Sequence, residues 1–222
     1  MRLRFNAFLA TALALGSLTA TSVYAPAALA AEDAVNASAA TKFIQTLADQ
    51  AFEVLRNQSL SQAQRDQQFR QLLQKGFALD IIGNGVLGTA RRTATPEQLK
   101  AFHAVFPDYV IRIYSSRLTE YGNSTLKVTG TAPAPRGDIY VRTLVTGPNV
   151  QQPVHADWRI RNVAGRGLKV IDLSLEGVSM AVTQRDEFNA KIQARGLDGL
   201  IAEMKSTTVS STKTAASTPE KR

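Results

Sequence analysis

The most conspicuous chemical motif in the sequence is the glycine-rich run from Gly83 to Gly88 (GNGVLG), which matches the G-x-G-x-x-G pattern of dinucleotide-binding turns. Such a turn follows a strand and opens a helix, because the dipole at the helix N-terminus then points at the pyrophosphate. Here the next clear helix start lies at Thr95, and no βαβ unit surrounds the run. We therefore interpret the run as a loose helix end and expect no nucleotide cofactor.

Two histidines are the next candidates for chemistry. His103 lies one position from an apolar helical seam, and His155 lies on the polar face of a predicted strand. Neither has a second ligand at a zinc-binding spacing, and the sequence contains no cysteine, so we expect no metal site. The sequence leaves a Ser–His–Asp triad open, but it has no G-x-S-x-G elbow to support one.

Two pairs of carboxylates have the spacing of a general acid and base: Asp186 with Glu187, and Asp172 with Glu176. For the first pair we favour the first turn of a helix, because Thr183 precedes it at N-cap spacing and acidic side chains stabilise helix N-termini. We therefore predict no catalytic residues, and we expect that the protein is not an enzyme.

The N-terminus has the features of a secretory signal. Arg2 and Arg4 precede an apolar stretch that begins at Phe5, and the small residues Ala28 and Ala30 form a cleavage pattern. Residues 1–30 are therefore predicted to be a signal peptide. An uncleaved membrane anchor is the alternative, but hydroxyl side chains and a proline dilute the apolar stretch.

The remaining boundaries follow from composition. Residues 31–40 are expected to be a flexible N-terminal segment and residues 41–205 a folded domain. Residues 206–222 are mostly Ser, Thr, Ala and Lys and predict a disordered tail. Since no later stretch is long and apolar enough to span a bilayer, we expect a soluble periplasmic protein after export.

The composition narrows the class of partner. Of 222 residues 44% are hydrophobic, which suffices for a core, and the absence of cysteine means that no disulfide supports it. The formal charge of +8 falls to +6 when Arg2 and Arg4 are removed. Export makes nucleic acid an unsuitable partner, so anionic headgroups and acidic protein surfaces fit this charge better. Arg91 and Arg92 are the best candidates for such a contact.

The first half of the mature chain has a helical period. Apolar residues recur at helical spacing between Ile44 and Leu55 and again between Phe69 and Leu73, with a stop near Gly76. The short apolar segment that follows is interrupted by glycines.

The clearest helix start is at Thr95, the predicted N-cap, with Pro96 at the first helical position and Gln98 completing a capping box. An aromatic and aliphatic seam runs from Leu99 along this helix. Pro107 lies inside it and is expected to kink or divide it.

After Gly122 the apolar period changes to two, which predicts β-strands. The predicted strands are Leu126–Val128, Ile139–Val145, Val154–Ile160 and residues 168–175. The last has apolar residues on both faces, which predicts a buried position. The helical period returns from Thr183. This order predicts an α+β fold, in which helices pack on one face of a curved antiparallel sheet and enclose an apolar cavity.

An ordered set of motifs gives the sequence a family likeness over residues 41–205. The motifs are Val86-Leu87-Gly88, Ala94-Thr95-Pro96-Glu97-Gln98, Phe102, Phe106, Asp157-Trp158-Arg159, Lys169-Val170-Ile171-Asp172, Leu175-Glu176-Gly177-Val178-Ser179, Thr183-Gln184-Arg185-Asp186-Glu187-Phe188 and Gly196-Leu197-Asp198-Gly199-Leu200. In this order they resemble the MlaC (toluene-tolerance auxiliary) family. Pro107, Gly83 and Gly85 depart from the family pattern. We expect these departures to alter the shape of the cavity and hence which lipid is held.

The resemblance implies a periplasmic shuttle with an NTF2-like mixed fold. Such proteins carry phospholipid between an outer-membrane lipoprotein complex and an inner-membrane ABC transporter complex, and so support outer-membrane lipid asymmetry. The acyl chains lie inside the cavity and the headgroup stays exposed. A branch of the family is associated with hopanoid biosynthesis, which keeps a polycyclic lipid open as the ligand. We expect a monomer without cofactor that binds no nucleic acid.

The predicted cavity lining combines apolar residues of the helices with those of the sheet and the segment after it. From the helical half they are Phe77, Ile81, Val86, Leu87, Phe102, Phe106, Tyr109, Val110, Ile113 and Tyr114. From the sheet and beyond they are Leu144, Trp158, Ile160, Val170, Leu173, Val178 and Met180. Periodicity does not separate a core face from a cavity face, so part of this set is expected to be ordinary core.

Two other functions remain as alternatives. An enzyme on a cone-shaped fold would need a histidine or paired carboxylates inside the cavity, whereas His155 is expected to face away from Trp158. An adaptor would regulate a membrane complex and carry no lipid.

Overall fold

The computed structural model describes the backbone of residues 35–118 and 121–215, and the side chains of residues 35–114 and 121–207. Helices fill the first half, strands follow, and a long helical segment ends the described chain. The helices are α1 (Ala37–Arg56), α2 (Gln62–Gly76), α3 (Leu79–Leu87), α4 (Ala90–Thr93), α5 (Pro96–Leu118) and α6 (Met180–Ala215). Gly196, with φ of +71° and ψ of 172°, breaks α6 into two helices. The strands are β1 (Thr125–Pro133), β2 (Ile139–Thr146), β3 (Val154–Val163), β4 (Gly167–Leu175) and β5 (Val178–Ser179).

The strands form one curved, open antiparallel sheet in the order β1-β2-β3-β4-β5. Helix α1 packs on it, because the pleat of each strand turns apolar residues such as Val141 and Ile160 to that side. The predicted α+β fold is confirmed, as are the strands that the period of two indicates. Strand β5 was not predicted, because its two residues are too short for any period.

Strand β4 differs from simple alternation at Ile171. Arg159 pairs with Asp172 and Ile160 pairs with Val170, so Ile171 is the extra residue of a β-bulge. Val170 and Ile171 are therefore both buried, although they are adjacent in sequence. The bulge explains why this stretch of sequence is apolar on both faces.

The other edge of β4 is covered in two places. Strand β5 pairs with its C-terminal end, and Phe77 forms a parallel bridge with Val170 near its start. The backbone N–H of Ala78 donates to the carbonyl of Val170 at 3.0 Å. The junction between α2 and α3 thus serves as a short additional partner of the sheet.

Two helix starts test the capping predictions. At α5 the prediction is confirmed: the Gln98 N–H donates to the Thr95 hydroxyl at 3.2 Å, and the Thr95 N–H donates to the Gln98 side chain at 3.0 Å. At α6 the helix begins earlier than predicted, at Met180. The predicted cap, Thr183, lies inside the helix, and its hydroxyl donates to the Ser179 carbonyl. Thr183 has the residue type and spacing of a cap, and the sequence around it does not show that the helix has already begun at Met180.

Helix α5 continues through Pro107, which therefore does not divide it. Proline removes one backbone hydrogen bond. Buried residues on both sides of it, Phe106 and Tyr109, anchor the two halves in the same core. Packing on α6 thus outweighs the lost bond.

The glycine-rich run lies in a helix, although sequence suggested a loose end. Gly83 faces Phe102 and His103 so closely that a Cβ would lie 3.2–3.3 Å from their rings. The run ends at Gly88, whose φ of +54° terminates α3 and favours glycine. Tertiary packing therefore keeps the glycines helical.

Three apolar clusters fill the described domain. The helical cluster joins α3, α5 and α6 through Val86, Leu87, Phe102, Phe106, Tyr109, Phe188, Leu197, Leu200, Ile201 and Met204. The sheet cluster joins α1 to the strands through Ala40, Ile44, Ala48, Leu126, Ile139, Val141, Ile160 and Val170. A third, smaller cluster joins α1 to α2 through Val54, Leu55 and Phe69. The helical and sheet clusters share no buried residue, although α6 also packs on β4.

A buried carboxylate fixes the turn between β1 and β2. The Asp138 side chain is 1% exposed and forms ion pairs with Arg159 and Arg161 at 2.7 Å. Arg159 also donates to the Pro135 carbonyl, and the carbonyl of Gly137 accepts from the Val35 N–H. The segment before α1 is therefore bonded to the same turn that Asp138 ties to β3.

Helices extend into both predicted terminal segments. Helix α1 begins inside the predicted 31–40 segment, and α6 continues to Ala215, within the predicted 206–222 tail. The predicted signal peptide, residues 1–30, and residues 216–222 lie outside the described residues. Among the described helices, none has both the length and the apolar character that crossing a membrane requires.

Candidate functional site

A small pocket lies between the second half of α5 and the first turns of α6. Its volume is about 220 Å³, and we call it the α5–α6 pocket. Ile113, Tyr114 and Met180 give it an apolar part. Its polar part consists of Thr183, Gln184 and Glu187 along one side of α6.

One exposed valine precedes the same site. Val178 on β5 is 55% exposed and lies two residues before Met180. Val182 in α6 is also exposed, but two positions after Met180 it lies on a different face of the helix, outside the pocket lining. The site therefore offers contact to an apolar molecule that enters from solvent.

The start of α6 is held by an acidic side chain. One oxygen of Asp172 accepts from the Ala181 N–H at 3.2 Å, and the other accepts from the Ser179 hydroxyl at 2.6 Å. The Ser179 oxygen in turn accepts from the Val182 N–H at 3.1 Å. These bonds satisfy donors that a helix start leaves open, and they fix Met180 at the pocket.

Replacing Asp172 by Ala is expected to loosen this end of α6. The loss of a helix cap and of the bonds to Asp172 should lower the free energy of unfolding by about 1–2 kcal/mol. Hydrogen exchange should accelerate at Ala181 and Val182 and stay unchanged in the second half of the helix. Unchanged exchange at both amides would contradict this role of Asp172.

Behind the pocket, Tyr109 packs against α6 in a partly charged setting. Burial raises the pKa of its phenol; Lys191 nearby opposes the rise, and Glu187 and Glu203 add to it. Lys191 donates to Glu203 at 2.6 Å, which raises the pKa of Lys191 and lowers that of Glu203. Lys191 is therefore engaged with Glu203 at neutral pH.

The predicted lining residues fall into three groups. Val86, Leu87, Phe102, Phe106, Tyr109, Val110 and Ile113 belong to or pack against the helical cluster. Phe77, Trp158, Ile160 and Val170 belong to or pack against the sheet cluster. Ile81, Tyr114, Leu144, Leu173, Val178 and Met180 are in neither cluster.

Members of the last group have different surroundings. Tyr114 and Met180 line the α5–α6 pocket together with Ile113. Leu173 pairs with Trp158 and shares its face of the sheet. Leu144 pairs with His155 on the opposite face, away from Val141 and α1.

A second, larger pocket is a groove of about 410 Å³ between α1 and α2. Six of its eight lining residues have amide or charged side chains, and none of the eight was predicted to line the cavity. It consists of Gln50, Glu53, Val54, Asn57, Gln68, Gln71, Leu72 and Lys75. Amide and charged groups do not replace the contacts of an apolar ligand, so size alone does not make this groove the better candidate.

The residues considered for catalysis lie apart from one another. His103 bonds through Nε2 to the Asn84 side chain at 3.1 Å, between α3 and α5. His155 lies on the outer face of the sheet. Its backbone N–H donates to the Glu176 carboxylate at 2.6 Å. Within residues 35–118 and 121–215, no three His, Cys, Asp or Glu side chains are grouped as a metal site would require.

Sequence reasoning missed the polar side of the α5–α6 pocket. Thr183, Gln184 and Glu187 follow Met180 at intervals of three and four, which places them on one face of a helix that begins there. That signal becomes readable only once the helix is known to begin at Met180.

Comparison with known proteins adds the family. The sequence profile described as "MlaC protein" matches residues 45–206, most of the chain. The chain belongs to the MlaC family. The match covers α1 from Gln45 onwards, the whole sheet and most of α6, so it includes the helical cluster and all buried residues of the sheet cluster except Ala40 and Ile44.

Two known proteins are similar to this chain, one in sequence and one in fold. The chain is 28% identical over 131 residues to the intermembrane phospholipid transport system binding protein MlaC of Haemophilus influenzae. The aligned part spans 57% of this chain and 60% of that relative. A phospholipid-binding protein from Ralstonia solanacearum, solved in complex with a phospholipid, has the same fold, with a TM-score of 0.65 and 22% identity. That comparison covers 77% of this chain and 97% of the Ralstonia chain.

Proposed function

We propose that this protein is a periplasmic phospholipid carrier, which takes up lipid at the α5–α6 pocket. The observation that carries the proposal is the apolar surface that Ile113, Tyr114 and Met180 present in this pocket. It occurs in a chain of the MlaC family, whose relatives include a phospholipid transport binding protein and a fold neighbour with bound phospholipid.

The physical need for a carrier follows from the hydrophobic effect. Each buried methylene is worth about 0.8 kcal/mol, so a lipid with roughly 30 methylenes faces a penalty of about 24 kcal/mol in water. Free diffusion across an aqueous gap is negligible on that scale. A carrier needs an apolar site that replaces bilayer contacts and a way to release its ligand, and neither requires a nucleophile or a metal.

The lipid must enlarge the pocket on binding. Small-molecule sites usually measure about 300–1,000 Å³, and the α5–α6 pocket, at about 220 Å³, is smaller. Helix α5 packs chiefly on α2, α3 and α6, whereas α1 packs on β1 and β2. We propose that acyl chains pass between the helical and sheet clusters, where the predicted lining residues of both clusters would contact them.

The partners belong to the same proposal. A carrier would collect its cargo from one membrane complex and deliver it to another, an outer-membrane complex and an inner-membrane ABC transporter complex. The formal charge of +8, or +6 without Arg2 and Arg4 of the proposed signal peptide, supports docking on acidic protein surfaces. Exposed Arg91 and Arg92, just before α5, are the first residues to test for such a contact.

Met180→Glu tests the carrier function. A carboxylate in the apolar part of the pocket would have to be buried against acyl chains, so lipid occupancy is expected to fall about tenfold or more. Native mass spectrometry of the protein purified from the periplasm, followed by lipid extraction, measures occupancy and identifies the lipid. Met180 suits this test because it is partly exposed, whereas Phe106 is 2% exposed and a charge there would unfold the core.

Ala190→Glu is the matched control, since Ala190 is an exposed residue of the same helix outside the pocket. It should keep normal lipid. A Met180→Glu protein that keeps normal lipid would contradict the proposed entry site. A wild-type protein that is purified without lipid and takes none from vesicles would contradict the carrier function and favour a non-carrying adaptor.

A further inference from the structure

We propose that Glu187 makes the carrier selective for phospholipids whose headgroup carries an ammonium group, over anionic phospholipids. The inference rests on the proposed function and adds the headgroup class. It runs against the overall positive charge of the chain, which by itself would favour anionic lipid. The local charges at the α5–α6 pocket decide the question, because screening limits distant charges to about 8–10 Å at physiological salt.

The first local observation is a carboxylate that has no direct ion pair. Glu187 lies in the polar part of the pocket and accepts a hydrogen bond from the Gln184 side chain at 3.1 Å. No Lys, Arg or His of the described residues forms an ion pair with Glu187. A headgroup ammonium that reaches the pocket would therefore meet a carboxylate with no cation bound to it.

None of the neighbouring cations forms an ion pair with Glu187. Lys191, one turn further along α6, donates to Glu203 at 2.6 Å and acts on Glu187 only through its charge at longer range. Arg185 pairs with Asp186, and its aliphatic part lies against Gly88. On α5, Arg112 follows Asp108 by four residues and so lies on the side where Asp108 pairs with α2, outside the pocket lining.

The second observation concerns the N-terminus of α6, which would otherwise attract a phosphate. Free N–H groups at a helix start bind anions. Here the Ala181 N–H is bonded to the Asp172 carboxylate and the Val182 N–H to the Ser179 hydroxyl. Asp172 thus occupies the position that an anionic headgroup would use, and it adds a second negative charge beside the pocket.

Two parts of the headgroup would contact the pocket differently: the phosphate, and the group attached to it. The Thr183 hydroxyl already donates to the Ser179 carbonyl, but the Gln184 amide has a second N–H besides the one bonded to Glu187 and can donate to phosphate oxygens, which every phospholipid has. The Glu187 carboxylate distinguishes what lies beyond the phosphate. It attracts a terminal ammonium and repels a headgroup that has only the phosphate charge.

A competition experiment tests this. Lipid-free protein is incubated with vesicles that contain equal amounts of phosphatidylethanolamine and phosphatidylglycerol with identical acyl chains, and bound lipid is measured by native mass spectrometry. The wild type is expected to hold about two- to fivefold more phosphatidylethanolamine, as for a partly exposed ion pair. Glu187→Gln should bring the ratio close to one, and Glu187→Lys should invert it.

Asp186→Asn is the matched control, because it removes one negative charge from the adjacent, exposed position outside the pocket. It should keep the wild-type ratio. An equal uptake of both lipids by the wild type, or a Glu187→Gln ratio like that of the wild type at full occupancy, would overturn the selectivity and leave the carrier function intact. Failure of the wild type to acquire either lipid would overturn both.

Discussion

Asp138→Ala should lower the free energy of unfolding by about 3 kcal/mol. The Asp138 side chain is almost fully buried, and Arg159 and Arg161 together place four of their nitrogens within 2.8 Å of its oxygens. Removing one partner of a buried pair typically costs about 3–5 kcal/mol, because the remaining charge has lost its partner. The lower end applies here, since each arginine side chain is about a quarter exposed to water.

Urea denaturation followed by the fluorescence of Trp158, the single tryptophan, measures this effect directly. The matched control is Asp157→Ala, which removes a more exposed carboxylate from the outer face of β3, the strand that contains Arg159 and Arg161. The control should change stability by about 0.5 kcal/mol or less. If Asp138→Ala and Asp157→Ala have similar stabilities, the Asp138 pairs do not hold the turn as we infer.

Phe188→Ala should cost about 4 kcal/mol, the range for a fully buried aromatic residue. The Phe188 ring is completely buried and contacts Phe102, Phe106 and Tyr109, with centroid distances of 6.1, 6.5 and 5.8 Å. The cavity would lie at the centre of the helical cluster, between α5 and α6. Edge-to-face contacts add to the loss from burial.

Thermal unfolding by circular dichroism measures the loss, which should lower Tm by about 8–16 °C in a domain of this size. Phe188→Leu is the control, because it keeps most of the volume and should cost about 1 kcal/mol. A Tm for Phe188→Ala within 3 °C of the wild type would mean that the cluster collapses onto the cavity. Helix α6 would then be less dependent on Phe188 than its contacts indicate.

Local chemistry made part of this fold readable in the sequence. The capping box at Thr95 and Gln98 depends on residues three apart, so neighbours along the chain suffice to define it. The strands that alternate on two faces were readable for the same reason. Their period reflects one buried and one solvated face.

Features created by distant contacts were not readable. The helical state of Gly83 depends on the rings of Phe102 and His103, which approach from α5. The start of α6 depends on Asp172, which belongs to a neighbouring strand. In both cases the deciding group lies outside any local window, so propensity and capping rules predicted a loose end and a later start.

The candidate site was readable only in part. Apolar periodicity identified Ile113, Tyr114 and Met180 together with many residues that form ordinary clusters. The polar side of the pocket was missed, because Glu187 was interpreted only through its distance from a supposed cap. Whether a carboxylate can bind a ligand depends on the pocket that its side chain lines, and local sequence patterns do not show which residues of α5 lie opposite Glu187.

The partners of β4 have a consequence for a protein that must stay dispersed at high concentration. Exposed strand edges invite other chains to pair with them and aggregate. The far edge of β4 is covered at one end by β5 and at the other by the Phe77–Ala78 segment. The opposite edge, β1, has Lys127, a bulge after Val128 and a terminal Pro133. Neither side of the sheet therefore offers a long, regular template on which a second copy could assemble into a fibril.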